Sequence, residues 1–552
     1  MQKGNDFALY DISQAYLHSD VEGTRVDPND RYVQIPKGLM GELLDVPDDA
    51  ECLYMMKLSY GHALASQAWA DHLDRVLRGI GKDGSGPDRL RGKRSPQDPS
   101  VYTFVEDSER VSCVVYVDDL CFSFPPDSKL MKKIDRQLRK KLKVGKATSL
   151  FEKGEKYLGV EVTRLEDGGV SLNQTEKIEQ LYKDYSEYFD PDLMISDPKV
   201  PIAKKRVAEE IRKSGIRTKP KTPVSASRKF DPEDDGPFTD EEKKLMEKIP
   251  YRSLLQRICQ LWTRPDVGYL THMASRFQVS PSFTLFIDLL RCVLYLKETK
   301  DLRLEYHKSN DGVELRGLSD ASWATDMVGS RSLTGGLIQF CGNTIAAIIK
   351  KQSLISRSSC EAEWIACHTV ARDLEYFLEM LQFLGWTQLR DFTLYTDSSS
   401  SIDMSKNLPG SKKKSRHFRL RVNDCREMIA DGKMKFKFVR TKTNCSDFFT
   451  KPLDPKDYLK HRDVIMGQKR LGKINRDGLE DRQIVLHVRE QRDHYYRMIK
   501  GLNKMWREDE NVRRSCGFES CNNLQEIKFP WGRGKLYYEG KRNYNLLKLF
   551  EE

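Results

Sequence analysis

No stretch of this 552-residue chain approaches the ~20 unbroken apolar residues that a membrane-spanning helix needs. The N-terminal segment MQKGNDFALYDISQAYL has neither the basic start nor the apolar stretch of a secretory signal. Both absences read against a membrane or secreted protein. Cysteine is sparse, with 12 residues and no tight framework spacing, which excludes a disulfide-stapled scaffold and fits reduced thiols inside a cell. A lone C-x4-C at Cys516 and Cys521 is too little for a metal site. No internal repeat is evident. Charge of one sign is also lacking: 93 Lys+Arg against 82 Asp+Glu leave +11, dilute over this length. What is present suits packed cores, since 39% hydrophobic and 10% aromatic residues exceed what a disordered chain carries. At ~150 residues per domain the length suggests three to four domains.

The positive charge is concentrated. Residues 401–450 hold 13 Lys+Arg and 5 Asp+Glu, either a nucleic-acid surface or a solvated basic face. FALYDI and VSCVVYVDDLCFSF read as buried strands, and HALASQAWADHLDRVLRGI as an amphipathic helix. GKDGSGPDRLRGKRSPQDPS, between them, reads as a flexible loop. A basic helix is expected over roughly Ser128 to Leu142, then the strand pair KYLGVEVTRL and GVSLN, then a helix from Gln174. Residues 196–245 are charged and punctuated by proline with no apolar period, so they read as a linker. A helical pattern returns over 246–311. A new α/β unit begins near Gly312, with strands at VELRGLSDASWA, GGLIQF and FTLYTD around the helix EAEWIACHTVARDLEYFLEMLQFLG. Residues 456–552 are basic and aromatic without a clear pattern.

Two groups of carboxylates stand out. In VVYVDDL, Asp118 and Asp119 end one apolar run and precede another. Such a pair is either the turn of a hairpin or a cation site, because adjacent like charges repel and hard Mg²⁺ prefers carboxylate oxygen. Asp11 closes the strand FALYDI and could bring a third carboxylate to the same edge. In the second group, Asp320 follows a strand in LSDASWA, Glu363 lies in CEAEWIA, Asp397 ends a strand in LYTDSSS, and Asp447 lies in NCSDFFTKPL. Taken singly, each reads as a surface carboxylate.

YVDDL, preceded at a distance by DISQAYLH, resembles the palm of reverse transcriptases, most nearly that of copia-type LTR retrotransposon polyproteins. RYVQIPKGL, CLYMMKLSYGHALASQAW, KYLGVEVTR, LWTRPDVGYLTHMASRF, LYLKETKDLRLEY, SRSSCEAEWIAC and DFFTKPL match that type in order, over about residues 5 to 455. The resemblance implies an α+β chain: a reverse transcriptase palm over 1–195 with truncated fingers, the linker 196–245, a helical connection over 246–311, and an α/β ribonuclease H-like domain over 312–455 with a mixed five-stranded sheet. The role of 456–552 stays open.

Carried over by motif, Asp11, Asp118 and Asp119 are the expected polymerase carboxylates. Tyr16 is the aromatic under the incoming sugar, and Tyr157, Leu158 and Gly159 lie on the strand that grips the primer end. Asp320, Glu363, Asp397 and Asp447 resemble the D-E-D-D centre of ribonuclease H. Glu363 is preferred to Glu361 because E-W-I-A fits the family's pattern of Glu followed three residues later by Ala; Glu361 would then lie about 200° round the helix. His417 matches a family histidine near the substrate, while Lys412, Lys413, Lys414, Arg416 and Arg419 are expected contacts to a nucleic-acid backbone. Each centre is expected to hold two Mg²⁺, with Mn²⁺ as a substitute. The implied partners are RNA template, DNA primer, RNA:DNA hybrid, deoxynucleoside triphosphates and other segments of the polyprotein. The implied setting is cytoplasmic particles and/or the nucleus, with no membrane partner.

The pattern breaks in three places. Only ten residues precede Asp11, so the fingers region is read as absent and polymerisation as impaired. Leu64 stands where a Gln contacts the incoming nucleotide, and an insertion at 81–100 interrupts the palm. The activities expected are RNA-templated DNA synthesis and Mg²⁺-dependent hydrolysis of RNA in hybrids. The competing expectation is a degenerate, catalytically dead remnant that only binds nucleic acid.

Overall fold

The computed structural model describes residues 4–19, 31–34, 52–80, 89–152, 154–215, 219–231, 239–309, 312–325, 329–406, 419–471, 524–528 and 535–539. These divide into two compact units, one of residues 1–169 with 379–388, the other of 170–378 with 389–552. No described helix is long and apolar enough to cross a membrane.

The first unit is built on β1 (Asp6–Asp11), β2 (Tyr32–Gln34), β3 (Cys52–Tyr54), α1 (Ala65–Arg78), β4 (Lys93–Arg94), β5 (Val101–Glu106), β6 (Glu109–Tyr116), β7 (Asp119–Phe124), α2 (Lys129–Lys141), β8 (Thr148–Ser149), β9 (Lys156–Tyr157) and β10 (Val160–Arg164). Six strands form one sheet in the order β4-β5-β6-β7-β1-β8. Strand side chains alternate between faces. Tyr10, Leu120 and Phe122 are buried in one cluster with Leu73 and Leu77 of α1 and Ile134 and Leu138 of α2. Helix α2 starts where Ser128 Oγ accepts the Met131 N–H at 3.0 Å, and its last turn carries Arg139, Lys140 and Lys141 against the negative end of the helix dipole. Helix α1 ends at Gly79, which takes the left-handed conformation at φ 65°.

The second unit contains β11 (Val170–Asn173), α3 (Thr175–Asp184), α4 (Pro191–Ser196), α5 (Ile202–Ser214), α6 (Asp240–Met246), α7 (Tyr251–Cys259), α8 (Gly268–Ser275), α9 (Phe283–Glu298), β12 (Leu304–Tyr306), β13 (Leu315–Ser322), β14 (Leu333–Phe340) and β15 (Asn343–Lys351). It continues with α10 (Ser359–Phe383, counted with the first unit from Glu379 on), β16 (Phe392–Thr396), α11 (Ser399–Lys406), α12 (Arg419–Ala430), β17 (Met434–Phe438), α13 (Pro455–Ile465) and the hairpin β18 (Leu524–Lys528) with β19 (Lys535–Glu539). Its main sheet has five strands in the order β15-β14-β13-β16-β17. The β13–β14 and β14–β15 pairs are antiparallel, and the β13–β16 and β16–β17 pairs are parallel. This is the mixed five-stranded sheet expected from the sequence.

The segment read as a linker differs from that expectation. Helix α5 occupies 13 of its residues and buries Ala203, Val207, Ala208 and Ile211, and Val224 and Phe230 join the same core. Its apolar positions are few and small, but three of them, Val207, Ala208 and Ile211, fall on one helical stripe. The two compact units part at Gly169/Val170, inside the span 1–195 read as the palm. The connection and the ribonuclease H-like region are not separate cores either. Leu254, Leu289 and Val293 of the helices pack in one cluster with Leu318, Leu337 and Tyr395 of the sheet. Residues 456–471 also belong to this body, because α13 buries Tyr458, Val464 and Ile465.

A buried ion pair fixes that junction. Arg264 and Asp266 meet at 2.8 Å with side chains almost wholly excluded from solvent. Tyr295 Oη donates to Asp266 Oδ2 at 2.6 Å, and Tyr458 Oη donates to the Asp266 carbonyl at 2.9 Å. The desolvation of the two charges is offset by the bidentate contact and these further hydrogen bonds.

Candidate active site

In the second unit, strand ends and one helix bring distant carboxylates together. Asp320 lies near the end of β13, Asp397 directly follows β16, and Glu363 lies on α10. Each offers an oxygen within 4.8 Å of the others. Asp447 lies in a short 3₁₀ turn, Cys445–Phe449. That turn is anchored by Asn444, whose Nδ2 donates to the Ser319 carbonyl at 3.0 Å. It also needs a glycine: Gly335 pairs with Asp320 across β13–β14, and a Cβ there would lie 2.7 Å from the Ser446 carbonyl.

Neighbouring side chains orient the carboxylates. Thr450 Oγ1 donates to Asp320 Oδ2, and Lys451 Nζ lies 2.9 Å from Asp447 Oδ2. Burial, then repulsion from Asp447, pushes Asp320 up to about 7. Burial, then repulsion from Asp320 and Asp397, pushes Glu363 up to about 9. Burial also raises Asp447, against the pull of Lys451. Glu363 Oε2 and Asp447 Oδ1 are buried and accept no hydrogen bond. Glu361 is placed elsewhere on α10, with Oε2 accepting the Arg357 N–H at 2.9 Å and its own N–H donating to Ser358 Oγ at 3.2 Å. These are contacts of a helix start.

In the first unit, Asp11 and Asp119 are direct partners across β1–β7. They lie on the face opposite Tyr10 and Leu120, away from the helices. Strands β6 and β7 form a hairpin whose two-residue loop is Val117–Asp118. Val117 has φ 54°, a left-handed conformation costly for a β-branched residue. Two bonds hold that loop: Trp69 Nε1 donates to the Val117 carbonyl at 2.7 Å, and the Ile12 N–H to the Asp118 carbonyl at 3.0 Å. Burial, then Asp118 and Asp11, raises Asp119. The three carboxylates do not converge as the second set does; the group with oxygens within 4.8 Å among the described residues is Asp320, Glu363 and Asp397.

Tyr16 lies in a short 3₁₀ turn, its hydroxyl 3.3 Å from Ser66 Oγ and its ring 4.7 Å from that of Tyr60. The strand expected through Tyr157, Leu158 and Gly159 is interrupted. Tyr157 ends β9, and Leu158 (φ 52°) with Gly159 (φ 75°) makes the two-residue loop to β10, the φ signs of a type I′ hairpin. Leu64 caps α1 and packs on the small cluster of Leu58, Ala65 and Ala68, while Gln67 is exposed. Lys412, Lys413, Lys414, Arg416 and His417 lie outside the described residues, as do Cys516 and Cys521, and Arg419 opens α12. Sequence reasoning passed over Asn444, Thr450 and Lys451, although all three flank Asp447 in TNCSDFFTKPL, and over Trp69 in SQAW.

Residues 2–188 match the family model of reverse transcriptase (RNA-dependent DNA polymerase). A retrovirus-related Pol polyprotein from transposon TNT 1-94 of Nicotiana tabacum is 32% identical over 217 residues, covering 39% of this chain and 16% of that protein. The Pol polyprotein from transposon RE1 of Arabidopsis thaliana is 25% identical over 448 residues, 80% of this chain and 26% of that protein. Among solved structures, a foamy viral protease-reverse transcriptase in complex with dsDNA is matched over 80% of this chain and 68% of that chain, at TM-score 0.38 and 12% identity. Residues 2–188 thus match a reverse transcriptase domain. The chain is similar to Pol polyproteins of transposons, in keeping with the copia-type resemblance of its motifs. It spans about a quarter or less of the length of these relatives.

Proposed function

We propose that the second unit hydrolyses the RNA strand of RNA:DNA hybrids at Asp320, Glu363, Asp397 and Asp447, with Mg²⁺ as the working ion and Mn²⁺ as a substitute. The observation that carries this reading is the convergence of three carboxylates within 4.8 Å. Glu363 and Asp447 add buried oxygens that accept no hydrogen bond. Such a set of hard oxygen donors cannot stay ionised in a buried place without compensating positive charge, so the residues fit a divalent cation. When bound, the ions supply Lewis-acid polarisation of the scissile phosphate and of the attacking water. The chain's part is orientation. Thr450 holds one oxygen of Asp320, Lys451 holds one oxygen of Asp447, and α10 fixes Glu363 between the ends of β13 and β16.

The first unit is read as a polymerase palm that uses Asp11, Asp118 and Asp119 for RNA-templated DNA synthesis. Its donors are of the right chemistry but stand apart, and Leu64 offers no hydrogen bond to a nucleotide. Tyr16 at the sugar, and Tyr157, Leu158 and Gly159 at the primer end, are parts of the same reading. RNA template, DNA primer, RNA:DNA hybrid, deoxynucleoside triphosphates and further polyprotein segments are the proposed partners, met in cytoplasmic particles and/or the nucleus. The basic stretch with Lys412, Lys413, Lys414, Arg416, His417 and Arg419 is the proposed backbone contact.

The test is cleavage of a labelled RNA:DNA hybrid by the purified chain, with and without Mg²⁺, beside Asp397→Asn. Cleavage that needs both metal and carboxylate supports the reading. Binding that weakens with salt but never leads to cleavage, by a folded chain, favours the dead remnant.

A further inference from the structure

The acidic cluster repels the polyanion it is proposed to cut, so attraction must come from groups that flank it. One flank is unusual. Strand β13 ends at Ser322, and the next residue, Trp323, leaves its side chain half exposed at 52%. A solvent-facing indole is costly in apolar surface, yet here it is held firmly. Trp323 Nε1 donates to the Ser356 carbonyl at 3.0 Å. Ala324, at φ 52°, donates its N–H to Ser332 Oγ at 3.1 Å.

The support runs back to the carboxylates. Ser356 Oγ donates to Gln352 Oε1 at 2.9 Å. Buried Gln352 passes its Nε2 protons to the Ala362 carbonyl, one residue before Glu363, and to Thr334 Oγ1, beside Gly335. Its backbone N–H reaches the Ser332 carbonyl at 2.8 Å. The indole is therefore fixed to the elements that carry Asp320 and Glu363, and Ile355, which precedes the anchor Ser356, is 58% exposed. Exposed arginines neighbour both anchors, Arg331 before Ser332 and Arg357 after Ser356.

We propose that Trp323 and Ile355 form a nucleic-acid contact flanking the acidic cluster, the indole packing on a sugar of the RNA:DNA hybrid while Arg331 and Arg357 meet its phosphates. Packing on sugars tolerates any sequence, and the phosphate contacts add register without base readout. The inference rests on the hybrid-cleavage reading above, and binding and cleavage separate the two.

Affinity for a fluorescein-labelled RNA:DNA hybrid is measured by anisotropy in EDTA, and KM and kcat for its cleavage in Mg²⁺. The chain is compared with Trp323→Ala, Trp323→Phe and, as an equally exposed control at 53%, Trp262→Ala. Trp323→Ala is expected to weaken binding and raise KM on the order of tenfold with kcat nearly unchanged. Trp323→Phe is expected to keep most of the affinity, and Trp262→Ala all of it. Thermal unfolding establishes that each variant is folded. Parental affinity in Trp323→Ala, an equal loss in Trp262→Ala, or a fall in kcat alone overturns the inference. A chain that binds through Trp323 yet never cleaves overturns the hydrolase reading and leaves the contact standing.

Discussion

Two sets of carboxylates, both spelled by short acidic motifs, are built in opposite ways. Asp11 and Asp119 face each other across a strand pair on the side of the sheet away from its helices, with Asp118 in the adjoining turn. Asp320, Glu363 and Asp397 converge within 4.8 Å in a mostly buried site, with Asp447 held nearby by Lys451. The first set is open and its strain sits in the backbone, at Val117. In the second set the cost is electrostatic, expressed in Glu363 raised to about 9 and Asp320 to about 7. A preassembled acidic cluster is stabilised by any divalent cation that enters, whereas the open set must be assembled by what binds to it.

The sharpest break in that comparison is a pair of charge-removing variants. Asp397→Asn is expected to lower hybrid cleavage roughly a hundredfold or more and to abolish the tightest Mn²⁺ binding seen in a calorimetric titration. Asp118→Asn should leave both unchanged. Equal effects from the two variants would mean that the second site is not the preassembled one.

Next in size is the pair beneath the second unit. Asp266→Ala strands the Arg264 charge among Tyr295 and Tyr458 and should destabilise that unit by ~3–5 kcal/mol in urea unfolding. The first unit's transition should not move. A single shared transition would show that the two units do not unfold separately.

The same unit carries two histidines whose contribution depends on pH. Burial lowers His272 and His461 to about 4. Between the ordinary value of 6.5 and about 4 each imidazole is protonated in the unfolded chain and neutral in the folded one. Its contribution is therefore complete above 6.5 and lost as pH falls toward 4, on the order of 3 kcal/mol each, while Asp320 and Glu363, raised to about 7 and about 9, act with the opposite sign. Thermal melts from pH 7.5 to 4.5 beside His272→Gln and His461→Gln isolate the imidazoles, and variants that lose stability with acid as steeply as the parent would refute this.

The smallest effect belongs to the first unit. Leu158→Asn, in a loop whose φ angles suit Asn-Gly, should stabilise that unit by ~1 kcal/mol, seen as a shift in its melting midpoint. Destabilisation would mean that the Leu158 side chain contributes more than its backbone costs.

Much of this was legible in the sequence because local pattern reports local structure. FALYDI became β1, Ser128 capped α2, and the alternation in VELRGLSDASWA became β13. The mixed sheet followed from strand order and family resemblance. Glu363 was told from Glu361 by the family's E-W-I-A pattern, and helical period then put the two side chains on different faces. Other features escaped. Helix α5 hides among charges because its buried residues are mostly small. The KYLGV strand is broken by a two-residue loop whose left-handed backbone only glycine announces.

By itself, then, the sequence determined which carboxylates exist, which secondary elements carry them and the class of chemistry that such oxygen donors allow. Only the tertiary structure decided which of them meet. Asp320 and Thr450 touch although 130 positions separate them, a closure that no local periodicity encodes. It depends on Gly335 leaving room for the turn that bears Asp447 and on a core shared by helices and sheet. The electrostatic character of the site is decided there too, because burial and mutual repulsion arise only once the chain has folded the charges together.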